Sequence, residues 1–194
     1  MDRREALRRT AWIMGGVVSA PAVMGVLKGC KAEPSINWKP EFLNTNQAAV
    51  VTQVSEIIIP KTDTPGAIDA GVPGFIDKLV KDCYSKEDQD RFLNGFTEFD
   101  EQAKKAYGDA FAELEPEQQK EFVKKVHDEA INAEKNTQPA PPRPFILMMK
   151  ELTMLGFFTS EPGATQVLQY LPVPGQYKGC IPLSEAGNGK TWAT

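Results

Sequence analysis

An all-α fold follows from three features of this 194-residue sequence. Apolar residues recur at three- and four-residue spacing in several separate stretches, the period of a helix with one buried face. No stretch alternates apolar and polar residues over the length of a strand. Runs rich in proline and glycine separate the periodic stretches and stop helices where they occur. The expected architecture is a compact irregular bundle of about five to six helices with long loops and an extended C-terminal arm. Its expected divisions are a leader (1–29), a lipid-attached tether (30–44), a helical domain (45–170) and the arm (171–194).

The leader comes first. Arg3-Arg4 is followed closely by Leu7, and a mild apolar stretch runs from Ala11 to Leu27. A charged start, an apolar middle and a processing site make an export signal. The arginine pair makes it similar to a twin-arginine (Tat) signal, which a translocase reads as an address and which is not an anchor. Gly15, Gly16, Ser19, Pro21 and Gly25 interrupt the stretch. It is shorter than the about 20 apolar residues of a stable spanning helix, so an uncleaved anchor is the weaker reading. Leu27-Lys28-Gly29-Cys30 resembles a lipobox, with Lys28 where a small residue is usual. Lipid on Cys30 would hold the mature chain at a membrane, since several acyl chains together give stable attachment; cleavage elsewhere is the alternative. The expected location is the bacterial cell envelope, on the periplasmic side, lipid-anchored. The Tat route carries folded proteins, often with a cofactor inside. The chain therefore folds around something before export or travels with a partner that does.

The formal charge is −4. The leader sets Arg3, Arg4, Arg8, Arg9 and Lys28 against Asp2 and Glu5, so the mature chain is more acidic than the whole. That balance argues against nucleic acid, whose binding needs a basic patch, and gives no electrostatic help on anionic lipid. The mature chain is long enough for one domain with its own core. With Cys30 assigned to lipid, Cys83 and Cys180 are left. An envelope compartment permits a bridge between them. Closing a loop of roughly 100 residues is worth on the order of 4.7 kcal/mol in the chain-entropy model. The other reading is two unrelated buried thiols.

Within the mature chain, Pro34 and Pro40 keep the tether from becoming a helix, while Trp38 and Phe42 are suited to docking on the body. From Thr45 the pattern turns helical, with Ala49, Val50, Val54, Ile57 and Ile58 on one face and Pro60 as the stop. The loop KTDTPGAIDAGVPG carries Ile68 and Val72 among polar residues. A short helix, 74–84, comes after Pro73, with Phe75, Ile76, Leu79 and Val80 on its buried face. Ser85 caps the next helix, with Asp88 three residues on. Phe92, Phe96, Phe99, Ala103 and Tyr107 then form an aromatic stripe, more simply a core seam than a ligand groove. Pro116 opens a helix whose apolar face is Phe122, Val123, Val126, Ala130 and Ile131. The stiff run NTQPAPPRP leads to a helix over 145–158, where Met148 and Met149 read as core fillers. Ser160 caps a last helix expected to reach about Tyr170. Beyond it the arm lacks periodicity, and such a tail is disordered or ordered on a partner. Ile181, Leu183 and Trp192 are residues a disordered tail does not need.

Catalytic machinery is not legible. The sole histidine, His127, comes with no CxxC and no HExxH motif, so the usual metal sites are excluded. No CxxCH attaches haem, no GxGxxG comes after a strand, and no GxSxG elbow is present. Glu113, Glu115 and Glu117 lie round a helix start and read as solvated. No catalytic, cofactor-binding or metal-ligating residue is assigned to this chain.

Four stretches resemble the small subunit (subunit 3, gamma) of gluconate 2-dehydrogenase: EIIIPKTDTPGAIDAGVPGFIDKLV (56–80), FAELEPEQQ (111–119), FILMMKELTMLGFFTSEPGA (145–164) and LPVPGQYKGC (171–180). The first is the most specific. The resemblance implies a non-catalytic partner of a flavin-dependent dehydrogenase of the GMC type. In such complexes the large subunit binds FAD and oxidises a sugar, sugar acid or glycoside, and a cytochrome c subunit often takes the electrons through its haem. The small subunit assists maturation and supplies the Tat signal for the leaderless flavoprotein. Paired cysteines of the family would fit Cys83 and Cys180; the lipobox is not a general family feature. The partner is expected at the 60–74 loop and the arm, through Ile68, Val72, Ile181, Leu183 and Trp192. The competing reading is a free-standing envelope lipoprotein that binds sugars or scaffolds other proteins.

Overall fold

The structure, a computed structural model, describes residues 36–137, 142–173, 175–176, 179–182, 184–185 and 187–193. The expectations for Arg3, Arg4, Leu7, Cys30 and Leu183 lie outside the described residues. Among those described, five α-helices are present: α1 Thr45–Ile58, α2 Val72–Cys83, α3 Lys86–Tyr107, α4 Pro116–Asn136 and α5 Phe145–Thr159. A 3-10 turn, Phe111–Glu113, precedes α4, and a π-helical turn, Gly163–Val167, comes after α5. No strand occurs among the described residues; the one β-bridge there pairs Gln169 with Trp192. The fold class is the all-α bundle the sequence predicts.

The bundle is organised round α5. Its buried residues include Phe145, Ile146, Leu147, Met148, Met149, Leu152, Thr153 and Phe157. A helix apolar on this many sides must be enclosed, and α1, α2, α3 and α4 all pack against it. The aromatic stripe of α3 is core: the Phe92 and Phe99 rings lie 5.2 and 5.3 Å from that of Phe145. Phe99 also stands 5.0 Å from both Phe111 and Phe122. Tilted and edge-on ring pairs of this kind add about 0.5–1.5 kcal/mol each to the burial itself. Gly95 lets α3 come close, since a Cβ there would sit 3.1 Å from that of Phe145.

Helix starts reflect local chemistry. Asn44 and Gln47 form a capping box on α1, and Ser85 accepts from the Asp88 amide on α3. Glu115 caps α4 with Gln118, and Pro116 occupies its first turn. Gln119 then donates back to the Phe111 carbonyl at 3.0 Å, tying the 3-10 turn to α4.

Two carboxylates hold the loops. Asp77, on α2, is 1% exposed. Its oxygens accept from the backbone amides of Glu41 (2.7 Å), Phe42 (3.2 Å) and Leu43 (2.8 Å). A buried carboxylate is tolerable only with such charge-assisted partners. The described part of the tether is thereby fixed to the body, with Trp38 and Phe42 packed on the core. Glu56, on α1, accepts from the amides of Lys61 (3.0 Å) and Ile68 (2.9 Å) and so closes the 60–71 loop. Gly66 is required there: a Cβ would lie 2.7 Å from the Lys61 nitrogen and 2.5 Å from Glu56 Oε1. A hydrogen bond from Lys61, with its charge, holds the exposed Asp69 carboxyl below its usual range.

The last expected helix is corrected. It does not run to Tyr170 but widens into the π-turn and stops at Leu168, whose backbone is extended. Gly163 packs so tightly on the α5 end that any Cβ would run into the Phe157 carbonyl. After it, Gln169 turns outward to pair with Thr191 and Ala193.

Asp77→Ala, which strips three amides of their acceptor, should lower unfolding free energy by about 3 kcal/mol in urea titrations. Gly163→Ala should cost about 1–3 kcal/mol in the same assay, with α-helical content kept.

Candidate functional site

The expected partner-contact residues separate into two groups. Val72 is fully buried at the start of α2. It faces the core, so its assignment to a partner surface is corrected: the Glu56 clamp folds the loop inward. Ile68 is half-buried beside the same clamp. Ile181 and Trp192 are exposed, at 39% and 41%. Cys83 ends α2 and Cys180 lies in the arm; both are exposed free thiols. The bridge between them is not formed in this structure, and the reading of two buried thiols is overturned by their exposure.

Apolar exposure is concentrated at the chain's end. Of the eight large hydrophobic residues exposed among those described, Tyr170, Leu171, Val173, Ile181 and Trp192 belong to the arm or its root. Met154 and Leu155 are exposed on α5, and Phe75, also exposed, lies over neighbouring Gly156. The arm folds back on itself: the Gln169 amide donates to Thr191 O (2.8 Å) and the Ala193 amide to Gln169 O (2.9 Å). Lys190 Nζ adds a bond to the Gln166 carbonyl at 2.6 Å. Gly187, at φ +63°, makes the turn, and its missing side chain admits Gln169. This concentration of exposed apolar residues makes the arm a candidate interaction surface.

A second feature is a cleft of about 440 Å³ between α1, α4 and α5. Ile57, Ile58, Val123 and Ile146 supply its apolar lining, and Lys120, Lys124, His127 and Lys150 its cationic groups. Lys120, Lys124 and His127 share one face of α4. Lys150 Nζ stands 3.0 Å from His127 Nε2, and Asp128 Oδ1 stands 3.3 Å from His127 Nδ1. An ammonium can only donate, so Lys150 is the donor toward Nε2. The cleft lining joins aliphatic to basic side chains, a chemistry that suits binding of an anion. Among the described residues no cluster of His, Cys, Asp and Glu could hold a metal ion. No helix of the described residues is long and apolar enough to cross a membrane.

The sequence reading missed this cleft. The signal was present in α4, where two lysines and the histidine recur at helical spacing round Val123. The walls from α1 and α5 are visible only once the bundle is packed.

Compared with known families, residues 45–175 match the family model for gluconate 2-dehydrogenase subunit 3. The chain belongs to the gluconate 2-dehydrogenase subunit 3 family. Comparison with curated proteins and with solved structures gives no match. Membership implies a subunit of an oxidoreductase complex that contains other subunits.

The stretches that resemble gluconate 2-dehydrogenase subunit 3 can now be read physically. Residues 56–80 supply the Glu56 clamp, the Gly66 contact and the Asp77 anchor. Residues 111–119 make the 3-10 turn, the α4 cap and the Gln119 tie. Residues 145–164 are the central helix and the Gly163 turn. These three serve mainly the interior, with Phe75, Met154 and Leu155 exposed within them. The fourth, 171–180, puts Leu171 and Val173 in solvent, Val173 at 79%.

Val72→Ala, at a site with no exposure, should cost about 2 kcal/mol of stability. Ile181→Ser and Trp192→Ser, both at exposed sites, should each change it by no more than about 0.5 kcal/mol. Chemical denaturation of the three variants checks both expectations.

Proposed function

We propose that this chain is the non-catalytic small subunit of an exported, FAD-dependent dehydrogenase of the GMC type. It assists maturation of the flavoprotein and lends it the Tat signal at Arg3-Arg4, and Leu7 belongs to the same signal. The observation that carries this reading is the division of labour in the fold. The stretches that resemble the family up to residue 164 serve mainly internal packing, while five of the eight large hydrophobics exposed among the described residues belong to the arm or its root. A subunit whose work is assembly has this distribution, since an apolar surface left in water is best explained by a partner that covers it.

In this reading the flavoprotein carries FAD and the substrate site, and a cytochrome c subunit with haem takes the electrons. Gluconate, other sugar acids, sugars and glycosides are all within the substrate class of the large subunit. Lipid on Cys30 holds the complex at the periplasmic face of a membrane. Cys83 and Cys180 are exposed thiols in a compartment that would oxidise them.

Replacing Arg3 and Arg4 together by lysine should leave both this chain and the flavoprotein in the cytoplasm, as fractionation and immunoblotting would show. Normal export of the flavoprotein in that strain would refute co-export. Ile181→Ser with Trp192→Ser should lower recovery of the flavoprotein in affinity purification at least several-fold while the helical body stays folded. Unchanged recovery would remove the arm from the interface. Alkylation of the exported chain with and without reductant, read by mass spectrometry, decides the state of Cys83 and Cys180.

A further inference from the structure

The cleft between α1, α4 and α5 is not used by the assembly reading, and its chemistry is specific. Its lining joins four aliphatic side chains, Ile57, Ile58, Val123 and Ile146, to four basic ones. On a chain of net charge −4, this is a gathering of basic groups, and gathered basic groups attract anions. Lys120 is engaged by Glu117 at 2.9 Å. Lys124 and Lys150 have no carboxylate partner among the described residues. Lys150 spends one donor on His127, and an ammonium has three. Donors are therefore left for an acceptor lying in the cleft.

The lining decides what else that ligand must be. A polyhydroxylated acid would press its hydroxyls against isoleucine and valine, where they find no partner, at a cost in desolvation. An acid with an apolar body would instead bury its chain there. The volume, about 440 Å³, lies within the range of small-molecule sites between helices of bundles. We infer that this cleft binds a monocarboxylate with an apolar body of about eight to ten carbons, its carboxylate received by Lys124 and Lys150 and its chain laid on Ile57, Ile58, Val123 and Ile146. His127 positions the Lys150 ammonium and is not itself a ligand.

The sole histidine makes the test local, because His127 gives the single imidazole signal of the chain. The full-length chain is titrated with octanoate, octanol and gluconate while that signal is followed by NMR and heat by calorimetry. Octanoate should move the His127 signal saturably, with a dissociation constant on the order of 0.1–1 mM. Octanol and gluconate should bind at least about tenfold more weakly. Lys124→Met, at an exposed site, should weaken octanoate about tenfold and leave the fold intact. Lys150→Met should do the same, with circular dichroism to check folding. Absence of a saturable shift overturns the inference. So does octanol binding as well as octanoate, which would leave a greasy cleft without anion recognition. Gluconate binding as well as octanoate would overturn the role of the apolar lining. Unweakened binding by folded Lys124→Met would remove the carboxylate from its stated place.

Discussion

A helix that is apolar on most of its sides cannot be left against water, and α5 imposes that constraint on everything else. Phe145, Ile146, Leu147 and Met148 are all buried although consecutive helix residues point to successive sides of the axis. Four helices are therefore needed to enclose them. The connections that pack on this bundle, the 59–71 loop among them, have no regular helix of their own. Those connections carry backbone amides that must find acceptors away from water.

Asp77 and Glu56 answer the second problem. Each sends a carboxylate from a helix to the main chain of a segment that has no regular structure of its own. One anion satisfies several donors at once, which offsets the desolvation of the charge. The polar pairs inside the bundle obey the same logic on a smaller scale. Ser55 donates to the Val51 carbonyl, and Thr153 meets it from α5 at 3.4 Å. No buried side-chain polar atom among the described residues lacks a partner. Acidic residues in a signature stretch invite a catalytic reading; in this fold their geometry is that of fasteners.

Helices α1 to α4 were legible because each is amphipathic or capped, and α5 because a long apolar run comes after a proline-rich stretch; all of these signals are local. Ser85 and Pro116 mark starts that need no tertiary knowledge. The aromatic stripe of α3 was legible as core for the same reason. What escaped reading depends on contacts distant in sequence. Val72 looks like a loop residue until Glu56 pulls the loop inward. The end of the last helix depends on Gly163 meeting the Phe157 carbonyl, a contact no periodicity reports. His127 looked isolated because its neighbours in space, Ile57 and Lys150, come from other helices.

The pairing of Gln169 with the backbone on both sides of Trp192 has a thermodynamic consequence. A tail that orders only on contact subtracts its lost conformational entropy from the affinity of the contact. Here two main-chain hydrogen bonds and the Lys190 bond to Gln166 already return the last residues to the root of the arm. Leu171, Val173 and Ile181 are exposed between these two joined ends. Entropy given up at those paired ends inside the monomer would not be lost again on docking, so more of an interface's energy there would be expressed as affinity.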